Sequence, residues 1–534
     1  MTLVNQSCSA LLYEGLQTLS AVGIKIQVGS HALDEPAVRI ITEDTMPVDP
    51  KCAVPATNNP QKSPPALSGQ LSLVDSSIEY LQYDKSCVSI ITARDLYMQN
   101  VYIKNCENLV SIPTLKYIAE SKYPDSWTKV NEYAKGVKPP IYATKGKKFQ
   151  YESPTYLNGK RSFDEIRDIL YKSEPPSDLQ EQHLWNFATF PSFQSSSVVN
   201  VKLPPYNAKG DGLTDDTRAI QDALDQTSNG IVFLPKGYYR ISKTLKMAPG
   251  QSLIGIARHL TFIAPVTEGV GGAIVETSNS QNIIAFLSVK TYQHLKTDYA
   301  IHWLAKSDQS IYRQAHTDRA KECWELMDIL KIKVPCKNAT NITVPLNFVS
   351  GSGRFYNFYQ ENWQYQDPGS RHLQLVNASN IRCYQCNTEH GRGDTNFEIS
   401  NSHHIDIYGV KSEGNFPVLW IKDSNFVSVY GYGGNAAALP NNTHYPPGYS
   451  MIAPTLFRVE NTPNYLLANL WDYGRIDGGN WFTFPGIGVN PKLWNIAVDI
   501  NNGDEIVPAC PSPHKGELFT CVLDRPVVMK RSTS

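Results

Sequence analysis

At 534 residues the chain is too long for one ordinary compact core, so it implies two domains or a solenoid. A formal net charge of −1 without a basic run argues against a nucleic-acid binder, and no apolar run is long enough to span a membrane as a helix. Charged residues are sparse at 19% while tyrosines number 29, a balance that suits flat sugar-contact surfaces and β-sheet packing alike.

The first residues, MTLVNQSCSALLYEGLQTL, lack the basic and apolar regions of a signal peptide. Yet there are ten cysteines, an even count, and N-x-S/T sequons begin at Asn5, Asn338, Asn341, Asn377 and Asn441. The expectation is a secreted, disulfide-bonded glycoprotein whose leader is absent from this chain. Residues 1–115 read as strand–corner–strand units, such as GQLSLVDSSIEYL and CVSIITARDLYMQNVYIKNC. They are taken as a partial first β-helix without a capping start; a small β-sandwich is the alternative. Cys87 and Cys106 are placed to bridge neighbouring turns, and Cys8 and Cys52 are the other early pair. Residues 116–197, rich in Pro, Lys and Gly, read as an extended connector, with a short helix over 163–173. Trp185, Phe187, Phe190 and Phe193 call for burial, so this connector is expected to be pinned along the surface of both domains.

Residues 198–265 carry the most specific pattern. Asp215 and Asp216 open a helix with an apolar face of Ala219, Ile220, Ala223 and Leu224, which stops at Asn229-Gly230. The short strands IVFLP, YYRIS, TLKM and SLIGI follow, separated by Gly, Pro and Lys corners. An amphipathic helix before close-set strands is a way to close the end of a parallel β-helix. Ala208 to Gln221 also resembles the opening signature of the pectate-lyase superfamily, A-K-G-D-G-x-T-D-D-T-x-A-I-Q. That resemblance implies an all-β, right-handed parallel β-helix, and it gives the aspartates an architectural role. A first β-helix, a connector and a second β-helix over 198–534 further resemble glycoside hydrolase family 55, paired β-helix enzymes that hydrolyse β-1,3-glucan with inversion. The family's first β-helix opens with its own copy of the motif, and this chain has none there, which puts the start of its first unit in doubt.

Within residues 266–372, Cys323 and Cys336 are expected to close a looped excursion, and GSGRFYNFYQENWQYQDPGSRH is dense in aromatics. Three lines then repeat over 373–435. Aligning Ile381, Ile405 and Val427 leaves steps of 24 and 22 residues, and brings Tyr384, Tyr408 and Tyr430 into one column and Glu389, Glu413 and Asn435 into another. Successive coils lie about 4.8 Å apart. The spacing therefore predicts a tyrosine stack and two neighbouring glutamates at one corner. Cys510 and Cys521 pair in the tail.

Glycoside hydrolysis needs one carboxylic acid to protonate the leaving oxygen and one carboxylate to activate water or attack carbon. Ser412-Glu413-Gly414 resembles the segment holding the family's general acid, so Glu413 is assigned as the acid and Glu389 as its coupled partner. One coil spacing suits a retaining pair at about 5 Å, whereas inversion wants about 6.5–9.5 Å. Either the corner splays the two side chains, or Glu389 only orients Glu413 and water is held by Gln360, Glu361 or backbone groups. Substrate contacts are expected from Glu361, Trp363, His390, Arg392, Asp394, Lys411, Asn415, Trp420 and Tyr432, with Trp363, Trp420 and Tyr432 stacking on sugar rings. Solvated corner residues bridged by Lys411 and Arg392 are the bland alternative for the glutamates. The Cys383-x-x-Cys386 pair reads as structural, and neither a metal nor another cofactor is called for.

The favoured reading is a monomeric hydrolase acting on a polysaccharide, a β-glucan, with no nucleic-acid or membrane partner. A polysaccharide lyase on the same fold is the alternative. It would use Lys411, Arg392 or His390 as base, with Ca²⁺ held by Glu389, Asp394 and Glu413. A non-catalytic carbohydrate-binding β-helix is the third reading.

Overall fold

In the computed structural model the chain is almost wholly β-sheet. The structure describes residues 1–6, 8–13, 17–29, 35–40, 70–137, 142–144, 147–185, 192–266, 269–292, 297–320, 345–361, 371–389, 395–414, 417–436, 455–472, 495–501, 504–506 and 522–533. The looped excursion and its two cysteines, the Cys510–Cys521 pair, Cys52, Phe187 and Phe190 lie outside them.

The signature stretch does what its chemistry dictates. Asp216 is buried, and its carboxylate accepts the backbone N–H groups of Lys209 at 2.6 Å and Gly210 at 2.8 Å. Asp211 ties Leu213 and Thr214, and Asp215 accepts the Thr217 N–H. These bonds fix the turn from which the helix Thr217–Gln226 starts. The helix ends three residues before Asn229, sooner than its sequence suggests. It buries Ile220, Ala223 and Leu224 against Val232, Leu234 and Ile241 of the first coil. Its apolar stripe thus covers the open end of a stack whose edge backbone groups would otherwise lie bare.

From there the chain winds a parallel β-helix with three faces. Ile231–Leu234, Ser252–Gly255, Ile283–Ala285, Ile311–Arg313 and the start of Gly353–Glu361 stack on the first. Gly237–Ile241, Thr261–Pro265, Ser288–Tyr292 and His316–Ala320 stack on the second. The third face runs from Leu245–Lys246 through Leu373–Val376, Phe397–Ser400 and Leu419–Lys422 to Asn495–Asn501. From Gly353 onward a single long strand serves both the first and second faces of each coil. Alternate residues of all three faces meet in one apolar core. Ile381 pairs with Ile405, and Ile405 with Val427, as the sequence spacing requires.

The tyrosine stack forms as expected and gains a member. Tyr356, Tyr384, Tyr408 and Tyr430 stack with centroids 4.8, 5.0 and 5.1 Å apart and planes within 12° of parallel. Their neighbours are protein groups, chiefly His183, Tyr97 and Val74, so the stack is an architectural seam.

The described strands between residues 2 and 112 form parallel coils of their own. Leu71–Thr92 pairs in parallel with Leu96–Ile112, with Leu71 opposite Leu96, and Cys87 and Cys106 are bonded across them. Thr128–Lys135 then pairs antiparallel with Leu96–Ile112, and Ile166–Tyr171 antiparallel with Thr128–Lys135. This corrects the helix expected over 163–173: an edge strand of the first sheet captures that segment. Part of the stretch read as connector is therefore sheet. Its pinning is visible, since Thr155–Leu157 pairs with the C-terminal strand Val528–Arg531, Phe193 stacks on Phe233 at 3.9 Å, and Trp185 lies by Phe286.

The two β units pack along the tyrosine seam. The Asn469 amide donates to the Leu71 carbonyl at 2.7 Å and the Ser72 hydroxyl at 2.9 Å. A Cβ at Gly433 would sit 2.8 Å from the Thr18 nitrogen, so the backbones approach there only because the residue is glycine. His183, buried, joins the units through its ring nitrogens, 2.8 Å from the Tyr384 hydroxyl and 2.8 Å from the Asp75 carboxylate.

The helix turn supplies a stability prediction. Asp216→Ala leaves two part-buried N–H donors without their carboxylate and lowers unfolding free energy by about 2 kcal/mol, whereas the exposed Asp211→Ala costs under about 1 kcal/mol. Urea melts of the two variants measure the difference.

Candidate active site

The second face carries the row that matters. His316 pairs with Tyr359, Tyr359 with Asn387, and Asn387 with Lys411. Two residues further along each strand stand Asp318, Glu361, Glu389 and Glu413, with Glu361 paired to Glu389 and Glu413 to Asn435. Acidic residues thus follow at the same offset on four successive coils, whose strands lie about 4.8 Å apart, and the ladder itself joins Glu361 to Glu389. The ladder between the coils of Glu389 and Glu413 runs as far as Asn387 opposite Lys411, two residues short of the two glutamates, and Asp318 and Glu361 stand at the same offset on the preceding coils. Asp318 and Glu361 escaped the repeat because the coils before residue 373 are longer: the step from His316 to Tyr359 is 43 residues and from Glu361 to Glu389 is 28.

Glu389 is 2% exposed, and Lys411 Nζ lies 3.0 and 3.1 Å from its two oxygens. A carboxylate this deep is tolerable because it is paired. The neighbouring hydrogen bonds are internal: Ser412 Oγ donates to the Thr388 carbonyl at 2.9 Å, and Asn396 Nδ2 to the same carbonyl at 3.1 Å. They hold the corner that precedes Glu413.

Other expected contacts fare differently. Tyr432 is fully buried, edge-on to Phe457 at 5.0 Å, which corrects its reading as a sugar-stacking ring. Gln360 is fully buried and accepts a hydrogen bond from Thr317 at 2.7 Å, so it does not hold a catalytic water. Trp420 stands on the third face, opposite Glu398 and Arg458 and away from the glutamate row. Its ring is flanked by Lys422 at 4.5 Å and Arg458 at 5.4 Å. Burial there pushes the Glu398 carboxyl up, but Arg371 and Lys422 outweigh it and hold it below the ordinary range. Trp363, His390, Arg392, Asp394 and Asn415 lie outside the described residues. Cys383 and Cys386 are bonded to each other, as a structural pair should be.

A second cluster borders the row. His316 is mostly buried, and its Nε2 has no hydrogen-bond partner among the described residues. Burial, then the charges of Lys290, Arg258 and His259, push its pKa down from 6.5 to about 4. Its ring lies 5.7 Å from that of Tyr359, over which Arg258 sits at 5.4 Å. Sequence reasoning passed over these residues because they fall on separate coils of unequal length. Among the described residues no group of three or more His, Cys, Asp or Glu is placed to hold a metal ion.

The match to known proteins agrees with this architecture. Residues 198–404 match the family model described as rhamnogalacturonase A/epimerase, pectate lyase-like. Over those residues the chain is similar to the pectate-lyase-like β-helix family. A glucan 1,3-beta-glucosidase of Cochliobolus carbonum is 42% identical over 83 residues, 15% of this chain and 10% of that protein. A non-secreted LysM effector of Penicillium expansum is 47% identical over 64 residues, 12% of this chain and 5% of that protein. The matched stretches are thus small fractions of these relatives. The solved structure of sacteLam55A from Streptomyces aligns with 94% of this chain and 78% of its own, at 8% identity and a TM-score of 0.36.

The ion pair yields a test. Lys411→Met removes the ammonium that pairs with the buried Glu389 carboxylate and destabilises the fold by about 3 kcal/mol, and adding Glu389→Gln recovers most of that loss. Thermal melts of the single and double variants measure both. The His316 imidazole binds a proton more readily unfolded than folded. The stability it contributes is present above pH 6.5 and is lost as pH falls towards about 4. His316→Gln should flatten that part of the stability–pH curve.

Proposed function

We propose that the protein hydrolyses a neutral β-glucan at the glutamate row, with Glu413 as general acid. The observation that carries the reading is the register of that row. Glu389 is buried and paired with Lys411, so it is poorly placed to activate water. Carboxylates gathered in one row favour protonation of one of their members, which is what an acid catalyst needs. Glu389 is therefore read as the residue that positions and tunes Glu413. Glu361 stands two coils from Glu413 in the same row. Two steps are about 9.6 Å between backbones. That lies near the upper end of the separation of about 6.5–9.5 Å that leaves room for an attacking water, so Glu361 is read as the base. A β-1,3-glucan substrate is supported by the family 55 resemblance and the glucosidase match, and an extracellular setting by the sequons and the even cysteine count.

A second reading, uronate β-elimination or epimerisation, is favoured by the His316 cluster. A neutral imidazole beside Arg258 and Lys290 suits proton abstraction next to a carboxylate that those cations would neutralise. The description of the matching family model is compatible with it.

Incubation with laminarin should release reducing sugar, and Glu413→Gln should lower kcat by about 10²–10⁴-fold. His316→Gln should leave that activity within about twofold of wild type. Ultraviolet-absorbing unsaturated product from polygalacturonate, lost in His316→Gln and kept in Glu413→Gln, would establish the second reading instead.

A further inference from the structure

A cavity of about 470 Å³ lies where the two β units meet, within the range of small-molecule sites. Its walls come from three places: Asp75, Gln99, Asn100 and Lys129 from the first unit, Gln182 from the connecting segment, and Arg382, Asp406 and Tyr408 from the tyrosine face of the β-helix. The candidate catalytic row is elsewhere. Asp406 and Glu413 share a coil but stand seven residues apart, with the positive-φ bend at Gly409 between them, and Arg382 and Glu389 are separated by the same number.

The charges of the walls balance, with Asp75 and Asp406 against Lys129 and Arg382. An anion would meet two carboxylates, and a cation would meet a guanidinium and an ammonium. Most of the remaining lining is amide: Gln99, Asn100, Asn131 and Gln182 each offer both donors and acceptors. The groups are held in place before any ligand arrives. His183 and Asn100 both bond the Asp75 carboxylate, Arg382 donates to the Gln182 carbonyl at 3.0 Å, and Asp406 is largely buried. Fixed, charge-balanced donors and acceptors in an open polar cavity match vicinal hydroxyls, which donate and accept at once and carry no charge.

We propose that this inter-unit cavity is a second carbohydrate site, separate from the glutamate row, that binds a neutral hexose or the end of a neutral glycan. The sugar class rests on the reading of the protein as a glucanase; the preference for an uncharged polyol rests on the cavity alone. A ligand there touches both units and the connecting segment, so binding also tightens their packing.

Hydrogen–deuterium exchange of the full chain with glucose, laminaribiose and glucuronate tests it. The neutral sugars should slow exchange in peptides covering 96–112 and 128–135, and glucuronate should not. The partly exposed pair Gln99→Leu and Asn131→Leu should abolish that protection while shifting the melting temperature by no more than about 3 °C and leaving laminarin hydrolysis within about twofold of wild type. Glu413→Gln should retain it. Protection by neutral sugars confined to peptides of the glutamate row, or junction protection that survives the double substitution, would overturn the proposal. Junction protection by glucuronate alone would overturn the ligand class. If laminarin is not cleaved at all and the neutral sugars still protect the junction, the second site stands and the glucanase reading falls.

Discussion

The constraint on which this molecule depends is the backbone ladder between successive coils. Each coil hydrogen-bonds to the next in parallel, so a residue type placed at one position of the repeat recurs along a line about 4.8 Å per step. The line amplifies whatever chemistry it carries. Tyrosines become a continuous stack that seats a second β unit. Asparagines and serines at the corners become internal hydrogen-bond chains. Carboxylates become a row, costly unless cations or protons relieve it, and that cost makes the row chemically interesting.

Ends and seams are where such a stack needs help. The helix Thr217–Gln226 covers one end with Ile220, Ala223 and Leu224, and it is locked by the buried Asp216. The first unit stops its parallel stacking by turning to antiparallel strands, which offer a different edge to any further coil. The seam between the units is mostly polar at its margin, with His183, Asp75 and Asn469 making directed bonds, and apolar in the middle, where Val74, Tyr97, Tyr408 and Tyr430 meet. The tyrosine stack expected from the repeat is thereby used up in packing.

Much of this is legible from residue order, for physical reasons. The Asp-rich turn before an amphipathic helix is local, and local capping rules suffice to read it. The 24- and 22-residue steps through Ile381, Ile405 and Val427 are regular, so their register holds. Register fails to extrapolate where coil length changes, which is why Asp318, Glu361 and Tyr356 join their rows unseen. His183 was equally invisible: a single histidine in an irregular stretch gains its meaning only from Asp75 and Tyr384, more than a hundred residues away on either side. The segment 163–173 misled because six residues with mixed polarity fit a short helix as well as an edge strand, and only the neighbouring strand Thr128–Lys135 decides. Tyr432 misled because aromatic character does not reveal which way a strand residue faces; Val427 and Val429 point inward, and the positive-φ bend at Gly431 resets the alternation so that Tyr432 points inward too.

The account turns on which members of the row act together. Neighbours one coil apart would attack the sugar directly and retain its configuration, whereas Glu413 working with Glu361 across two coils leaves room for water and inverts it. The most direct measurement is the anomer first released from laminarin, followed by proton NMR before mutarotation sets in. The account predicts the α-anomer as the initial product. An initial β-anomer would contradict it and return the second catalytic role to Glu389.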